Sequence, residues 1–541
     1  MDTTHQFRLR RLARRGGLIG GVAVAMALVV AALAGAAHAG PAWPSSGHDQ
    51  QNSHANTDES VIGTNDVSNL APKWIFQTHG DVSADPAVVG GAVYFPDWGG
   101  YLNKVDAKTG RLIWQFPISK YDGIAGSVSR TGPAVDNGVV YIGDQNQGHL
   151  MAINANTGAP IWTTQVDSHL AAILTASPLV VNGVIYQGVA SAEEGFAVSG
   201  SYPCCTFRGS VVAVNATTGK ILWKTWTVPD PGAPCTSQLP AAGCGYSGGA
   251  VWGSTPAYDK GSNTLYVATG NNYTVPDAEK TCEANGGTAG QCLSPDDHVD
   301  ALMALNASTG AIKWSTGVQG FDDWNVACIP GIPGGSANNC PASPGPDFDF
   351  GSGPQLFTIK NGAGKPQLVV GGGAKSGGYW ELDAATGKIL WSQFAGPGTS
   401  LGGIEWGSAT DGKRIYIAEA DPFGIPYLTA SGQPIAWGSW AALDPNTGQV
   451  LWQTPDPSFS ADLGFMTTAN GVVYAPSMSG NMFALDAATG QVLWNYQGDG
   501  AAIGGASVVS GTAYWGNGYA HLGIPGWNAS KSFYALTLNG K

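Results

Sequence analysis

The chain has 541 residues, a net charge of −13, only 12% charged side chains, 79 glycines and 19 tryptophans. An acidic chain without a clustered Lys/Arg face is a poor binder of nucleic acid or of anionic lipid. So few charges among so many turn residues and aromatics point to one large all-β architecture rather than to several domains.

Residues 1–39 read as an export signal, which makes residues 40–541 a single mature domain. Arg8, Arg10, Arg11, Arg14 and Arg15 precede an apolar run at 18–37, and Ala37-His38-Ala39 fits a small-x-small cleavage site. The alternative is an uncleaved anchor, since the run is nearly long enough to span a bilayer. Removing the segment removes five arginines and one aspartate, taking the net charge from −13 to −17. No later segment reads as a membrane span, and the mature protein is expected to be periplasmic or secreted.

From residue 105 onward one unit recurs, L-x-A-x-[DN]-A-x-T-G-x-x-x-W. It appears at 105–114 (VDAKTGRLIW), 153–162 (INANTGAPIW), 214–223, 305–314 (LNASTGAIKW), 382–391 (LDAATGKILW), 443–452 (LDPNTGQVLW) and 485–494 (LDAATGQVLW). The D-A-x-T-G stretch is a tight turn in which Asp or Asn caps the backbone and glycine takes positive φ. The alternating apolar residues around it are two antiparallel strands. A second hairpin lies upstream of most copies, as in PAVDNGVVY at 133–141 and PLVVNGVIY at 178–186. Two hairpins make a four-stranded blade. An eighth copy is split, with YALTLNG near the end lacking its tryptophan and Lys73-Trp74-Ile75 near the start supplying one. Closure by pairing the two ends explains the split, which an open solenoid does not. The predicted fold is therefore an eight-bladed β-propeller with a tryptophan docking motif in each blade.

The spacing between copies is uneven, and the surplus falls at 229–251, 273–298 and 326–347. These stretches hold Cys235 and Cys244, Cys282 and Cys292, and Cys328 and Cys340, which read as local disulfides pinning long loops. There is no C-x-x-C-H, so no covalently attached haem is expected. The remaining pair, Cys204 and Cys205, are adjacent. They form either a strained vicinal disulfide, whose sulfurs would present a small apolar platform to a flat ligand, or two thiols.

Three further groups carry possible chemistry. Glu193 and Glu194 follow a strand at 184–189 and are either a solvated loop pair or, with one turned inward, ligands of a hard cation. Asn271, in Thr269-Gly270-Asn271, is either a partner ligand or a turn asparagine. Asp347 and Asp349, in G-P-D-F-D-F-G, alternate with aromatics and so face one way on a strand, either as a water-exposed edge pair or as candidates for base catalysis.

With these residues in hand, the chain resembles the pyrroloquinoline quinone (PQQ) dependent alcohol dehydrogenases over essentially all its mature length. The resemblance implies an enzyme with PQQ near the propeller axis, between a vicinal disulfide (Cys204, Cys205) and a tryptophan, and coordinated to Ca²⁺. G-V-A-S-A-E-E-G is similar to that family's glutamate loop and makes Glu193 rather than Glu194 the calcium ligand, with Ser191 beside the cofactor and Asn271 the second ligand. The resemblance further assigns Thr175 as a hydrogen-bond partner of PQQ, Trp252 as the stacking ring, Arg208 as a partner of a PQQ carboxylate and Lys375 as the cation that polarises the quinone. Asp349 becomes the base, with Asp347 in reserve. The placement of Y-P-C-C-T-F-R-G looks like the polyvinyl alcohol dehydrogenase branch. This implies secondary or polymeric alcohol substrates and, without a haem motif, a separate electron acceptor such as a cytochrome c. The competing reading is a non-catalytic propeller of the envelope-assembly or adhesion kind, which needs the repeats but not this set of residues.

Overall fold

The computed structural model describes residues 42–230, 245–253, 255–332 and 335–541. The predicted signal segment, and Cys235 and Cys244, lie outside these residues. The unit His38–Lys541 is built, among the described residues, from eight antiparallel blades of four strands; Ala55–Asn56 adds a parallel fifth strand to one, Ala172–Ile173 a fifth to another, and two two-stranded sheets stand apart from them. The first blade runs through Ala87–Val89, Ala92–Asp97, Tyr101–Asp106 and Leu112–Pro117. The eighth takes three strands from Ser507–Val509, Thr512–Gly516 and Ser532–Leu538 and its outermost from Leu70–Gln77. Leu70 pairs with Leu538 and Gln77 with Ser532, so the two ends of the chain close the ring as predicted.

Burial follows from the radial arrangement. Inner strands are covered on both faces and read as unbroken apolar runs, such as Thr264–Ala268. The outermost strands are half exposed, and some alternate, as Pro160–Gln165 does over its last four residues. The apolar core is a series of seams between consecutive blades. One seam joins Tyr94, Leu102 and Trp114 of the first blade to Val135, Val140 and Ile153 of the second.

The recurring tryptophan stitches these seams. Its indole Nε1 donates to a carbonyl in the turn of the next blade: Trp74 to Ala107, Trp114 to Ala155, Trp162 to Ala216 and Trp223 to Ala307, at 3.0–3.1 Å. Trp314 reaches Ala384, Trp391 reaches Pro445, Trp452 reaches Ala487 and Trp494 closes the circle on Leu70. The motif glycine is required twice over. At Gly219, φ is +70° and a β-carbon would stand 2.7 Å from the Trp162 ring.

Inserted loops gather at the end of the ring where strands of successive blades are joined. Asp277–Ala284 and Ala289–Cys292 are short helices tied by the Cys282–Cys292 disulfide. Cys328–Cys340 ties the next insertion.

Candidate active site

The loop end of the ring holds a cavity of about 210 Å³. Thr175, Ser191, Trp252, Asp349 and Lys375, all predicted site residues, share its wall. Thr175, Trp252 and Asp349 arrive from loops that precede a blade, and Lys375 from the loop between two strands of the fifth, Pro366–Gly373 and Gly378–Asp383. Ser191 is delivered by the long strand Val184–Ser191, whose last turn also pairs with Ala172–Ile173. Thr175 Oγ1 donates to the carbonyl of Trp252 at 2.5 Å, coupling two walls.

Asp349 is the hub. Its Oδ1 accepts from the Asn271 backbone N–H at 2.7 Å, and its Oδ2 accepts from Trp252 Nε1 at 2.7 Å and from Lys375 Nζ at 3.3 Å. Lys375 also donates to Asp347 Oδ1 at 2.9 Å. Burial works against the ammonium, but the two aspartates outweigh it and hold the Lys375 pKa well above the ordinary value. Burial drives the Asp347 carboxyl well up, with Lys375 opposing. Gly270 of the T-G-N segment is needed because a β-carbon there would lie 3.0 Å from the Asp349 carboxylate. Asn271 is buried, and its Nδ2 donates to the carbonyls of Asn272 and Trp324, which leaves its amide oxygen as the acceptor.

The two aspartates do not sit on a strand, contrary to the alternation argument. Residues 344–350 form an irregular loop, and Asp347 has φ +62°. The pair converges instead because Asp322, of the F-D-D-W-N segment, accepts from the N–H groups of Asp347 and Phe348 at 2.8 and 2.6 Å and bends the loop inward.

The two glutamates are placed differently. Glu193 is fully buried, and its carboxylate is consumed by protein donors: Tyr202 OH at 2.9 Å, Thr206 N–H at 2.9 and 3.0 Å, and Phe207 N–H at 2.7 Å. It clamps the loop that carries Cys204 and Cys205 and has little lone-pair capacity left for a cation. Glu194 lines the cavity, and its Oε1 is shut from solvent without a hydrogen-bond partner. Burial, opposed by Lys375 and reinforced by Asp349 and Asp322, pushes its pKa up to about 8.

Arg208 is likewise turned away from the cavity. Its guanidinium donates to the Val228 carbonyl at 2.8 and 3.2 Å, stacks on Trp226 and lies 3.9 Å from Asp230. The arginine on the cavity wall is Arg130, 3.9 Å above the Trp406 ring and 3.5 Å from Tyr519 OH. Glu405, also unpredicted, faces the same space, and burial, opposed by Lys375, pushes it up to about 7. A signal for Arg130 existed: it stands three residues before Pro133, as Thr175 stands three before Pro178.

Cys204 and Cys205 form a vicinal disulfide across a cis peptide. Neither cysteine is on the cavity wall. Both are 1% exposed in the apolar cluster that includes Ala190, Ala250, Tyr273 and Trp252, all of which are on it.

The donor set around Asp349 suits a hard cation and an anionic, planar ligand. Glu194, the Asn271 amide and Asp349 offer oxygens, Arg130 and Lys375 offer positive charge, and Trp252 and Trp406 offer flat apolar faces. Among the described residues, no three His, Cys, Asp or Glu side chains are grouped to hold a metal by themselves.

The chain is similar to known proteins. The chain is 30% identical over 488 residues to a polyvinylalcohol dehydrogenase of Pseudomonas sp., spanning 84% of this chain and 70% of that one. It is 33% identical over 399 residues to the polyvinylalcohol dehydrogenase of Sphingopyxis sp. strain 113P3, spanning 72% of this chain and 55% of the relative. The solved quinohemoprotein alcohol dehydrogenase of Comamonas testosteroni superposes with a TM-score of 0.69 over 93% of this chain and 81% of its own, at 22% identity, which speaks to the fold. The family model described as outer membrane protein assembly factor BamB matches residues 99–200 and 377–522, less than half the chain.

Proposed function

Because the chain belongs to the family of the PQQ-dependent alcohol and polyvinyl alcohol dehydrogenases, we propose that it is an exported alcohol dehydrogenase. It would use PQQ and Ca²⁺ on secondary or polymeric alcohols and pass electrons to a separate acceptor such as a cytochrome c. The observation that carries this reading is the convergence of Asp349, Lys375, Trp252 and Glu194 on one cavity.

Bound PQQ supplies a two-electron acceptor, and Ca²⁺ supplies Lewis acidity. Glu194 and the Asn271 amide are the proposed protein ligands of the cation, replacing the Glu193 assignment. Asp349 Oδ2 takes the hydroxyl proton of the substrate, and the N–H of Asn271 and Nε1 of Trp252 hold its carboxylate in position. Lys375 Nζ keeps a positive charge at the same point, and Asp347 fixes the ammonium from behind. Arg130, on the cavity wall where Arg208 is not, would hold the cofactor carboxylates. Thr175 and Ser191 complete the polar rim. Cys204 and Cys205 back the apolar wall around Ala250 and Tyr273. Among the described residues no helix is long and apolar enough to cross a membrane, which is compatible with export.

The assembly-scaffold reading draws on the BamB-type match. That match covers repeats and leaves out residues 201–376, where Trp252, Asn271, Asp349 and Lys375 lie. A scaffold has no use for that stretch's buried charge network.

The test is turnover of an artificial electron acceptor by protein loaded with PQQ and Ca²⁺, given secondary alcohols, compared with Asp349→Asn. Loss of a positioned base predicts a fall of about 10²- to 10⁴-fold in kcat with cofactor still bound. Cofactor-loaded wild type that oxidises no primary, secondary or polymeric alcohol would sink the reading.

A further inference from the structure

On one side the mouth of the cavity opens onto an uncharged, apolar rim. Residues 422–443, 396–404 and 457–461 contain no Asp, Glu, Lys, Arg or His, in a chain of net charge −13. Residues 422–438 of the first run are an inserted loop of the sixth blade that carries a small hairpin, Tyr427–Leu428 against Pro434–Ile435, and Ser439–Leu443 is the buried blade strand it leads into. Phe423 is 58% exposed, Leu428 67% and Phe459 70%. Large apolar side chains this open, on a loop beside a catalytic cavity, mark a contact surface rather than a core.

The surface is continuous with the cavity. Leu401 and Leu463 are on the cavity wall. Gly402, next to Leu401, lies so close to Pro422 that a β-carbon would stand 2.5 Å from the proline ring, which brings Phe423 to the rim. Phe459 precedes Leu463 by four residues, and its ring meets Trp437 edge to face at 4.8 Å. Backbone bonds from Gly438 to Ser460 and from Asp462 to Ala420 lock this segment to the hairpin. Ser431 and Gln433, exposed at the hairpin tip, set a hydroxyl and an amide among the apolar groups, while the buried Thr429 hydroxyl shapes the turn between them.

We propose that this rim, with Phe423, Leu428 and Phe459 as its anchors, is a docking track for a neutral polymer that has a hydrocarbon backbone and pendant hydroxyls, and that it feeds one hydroxyl at a time to Asp349. The proposal rests on the alcohol dehydrogenase reading above. A cavity of about 210 Å³ admits only a short piece of such a chain, so the remainder lies across the rim. A basic electron-carrier protein would be drawn to exposed acidic groups, and the acids bordering this sector, Asp421, Asp456 and Asp462, are buried; the chemistry that matches its surface is apolar contact interspersed with neutral hydrogen bonds.

The experiment compares wild type, the double variant Phe423→Ser with Leu428→Ser, and Phe459→Ser. Each is assayed on isopropanol and on fully hydrolysed polyvinyl alcohol, and the binding of the same polymer to the cofactor-free protein is measured by sedimentation. All three side chains are largely exposed, so folding is preserved, and near-ultraviolet circular dichroism checks it. Losing two apolar anchors is expected to raise KM for the polymer by about tenfold or more and to weaken polymer sedimentation in parallel. Isopropanol kcat/KM is expected to stay within about twofold. Polymer KM and binding that match wild type, or equal losses on both alcohols, overturn the track. If wild type oxidises neither alcohol, the alcohol dehydrogenase reading fails, and the sedimentation arm still decides: binding lost in the variants upholds the track, and absent or unchanged binding rejects it.

Discussion

At the scale of single residues, the site is a set of buried charges whose states are fixed by neighbours. Glu381 shows this away from the cavity. It is fully buried in the fifth blade, Trp391 Nε1 donates to its Oε1 at 3.0 Å, and its Oε2 has no partner. Burial pushes its pKa from 4.5 to about 8, with the indole opposing. A folded-state pKa above the unfolded one means that the folded protein holds the extra proton. The resulting stability is complete at low pH and is lost as pH rises from about 4.5 through about 8. Glu381→Gln keeps the acceptor for Trp391 and removes the titration. Thermal unfolding should show variant and wild type close at about pH 5 and the variant gaining at about pH 9; a difference that does not change with pH contradicts the assignment.

The same scale shows where the sequence was legible. Thr175, Ser191, Trp252, Asp349 and Lys375 were found because each stands in a short motif, and all five reach one cavity. The choice between Glu193 and Glu194 was not legible. Both lie in the one-turn helix Glu193–Phe196, where neighbours point about 100° apart, and only the path of the cysteine loop decides which one is consumed. The resemblance assigns Arg208 to a cofactor carboxylate, yet its side chain follows the Val228 carbonyl. Arg130 carried its signal in its register with Thr175 from blade to blade, not in any motif of its own.

At the scale of elements, the tryptophan–glycine contact sets the spacing of the blades. Gly219 and Gly183 both have positive φ, +70° and +78°, but a β-carbon at Gly219 meets the Trp162 ring whereas one at Gly183 meets nothing within 4 Å. Alanine at either position pays the conformational penalty; only at Gly219 does it also push two blades apart. Gly219→Ala is therefore expected to lower stability by about 1–3 kcal/mol more than Gly183→Ala. Matched unfolding curves check this, and equal losses would mean that the ring contact contributes nothing. The repeats, the blade count and the split eighth blade could be read from sequence because this contact recurs in register. The irregular loop at Asp347 could not, since its shape depends on Asp322, 25 residues earlier on the far side of the insertion at 326–347.

At the scale of the whole molecule, the cavity exists only because the ring closes. Arg130 and Tyr519, which meet on its wall, are 389 residues apart, and Lys375 and Glu194 come from other blades again. A closed propeller holds these groups without a hinge, so the charge network is set before any ligand arrives, which is the arrangement that electrostatic catalysis requires. The central claim is that this preset network, through Glu194 and not Glu193, binds PQQ together with a cation. The most direct test is an equilibrium titration of cofactor-free protein with PQQ, with and without Ca²⁺, followed by quinone absorbance in wild type, Glu193→Gln and Glu194→Gln. The account predicts saturable binding that calcium tightens in wild type and in Glu193→Gln, with the calcium dependence weakened about tenfold or more in Glu194→Gln. Calcium dependence that survives in Glu194→Gln and disappears in Glu193→Gln, or that is absent from wild type, would contradict it.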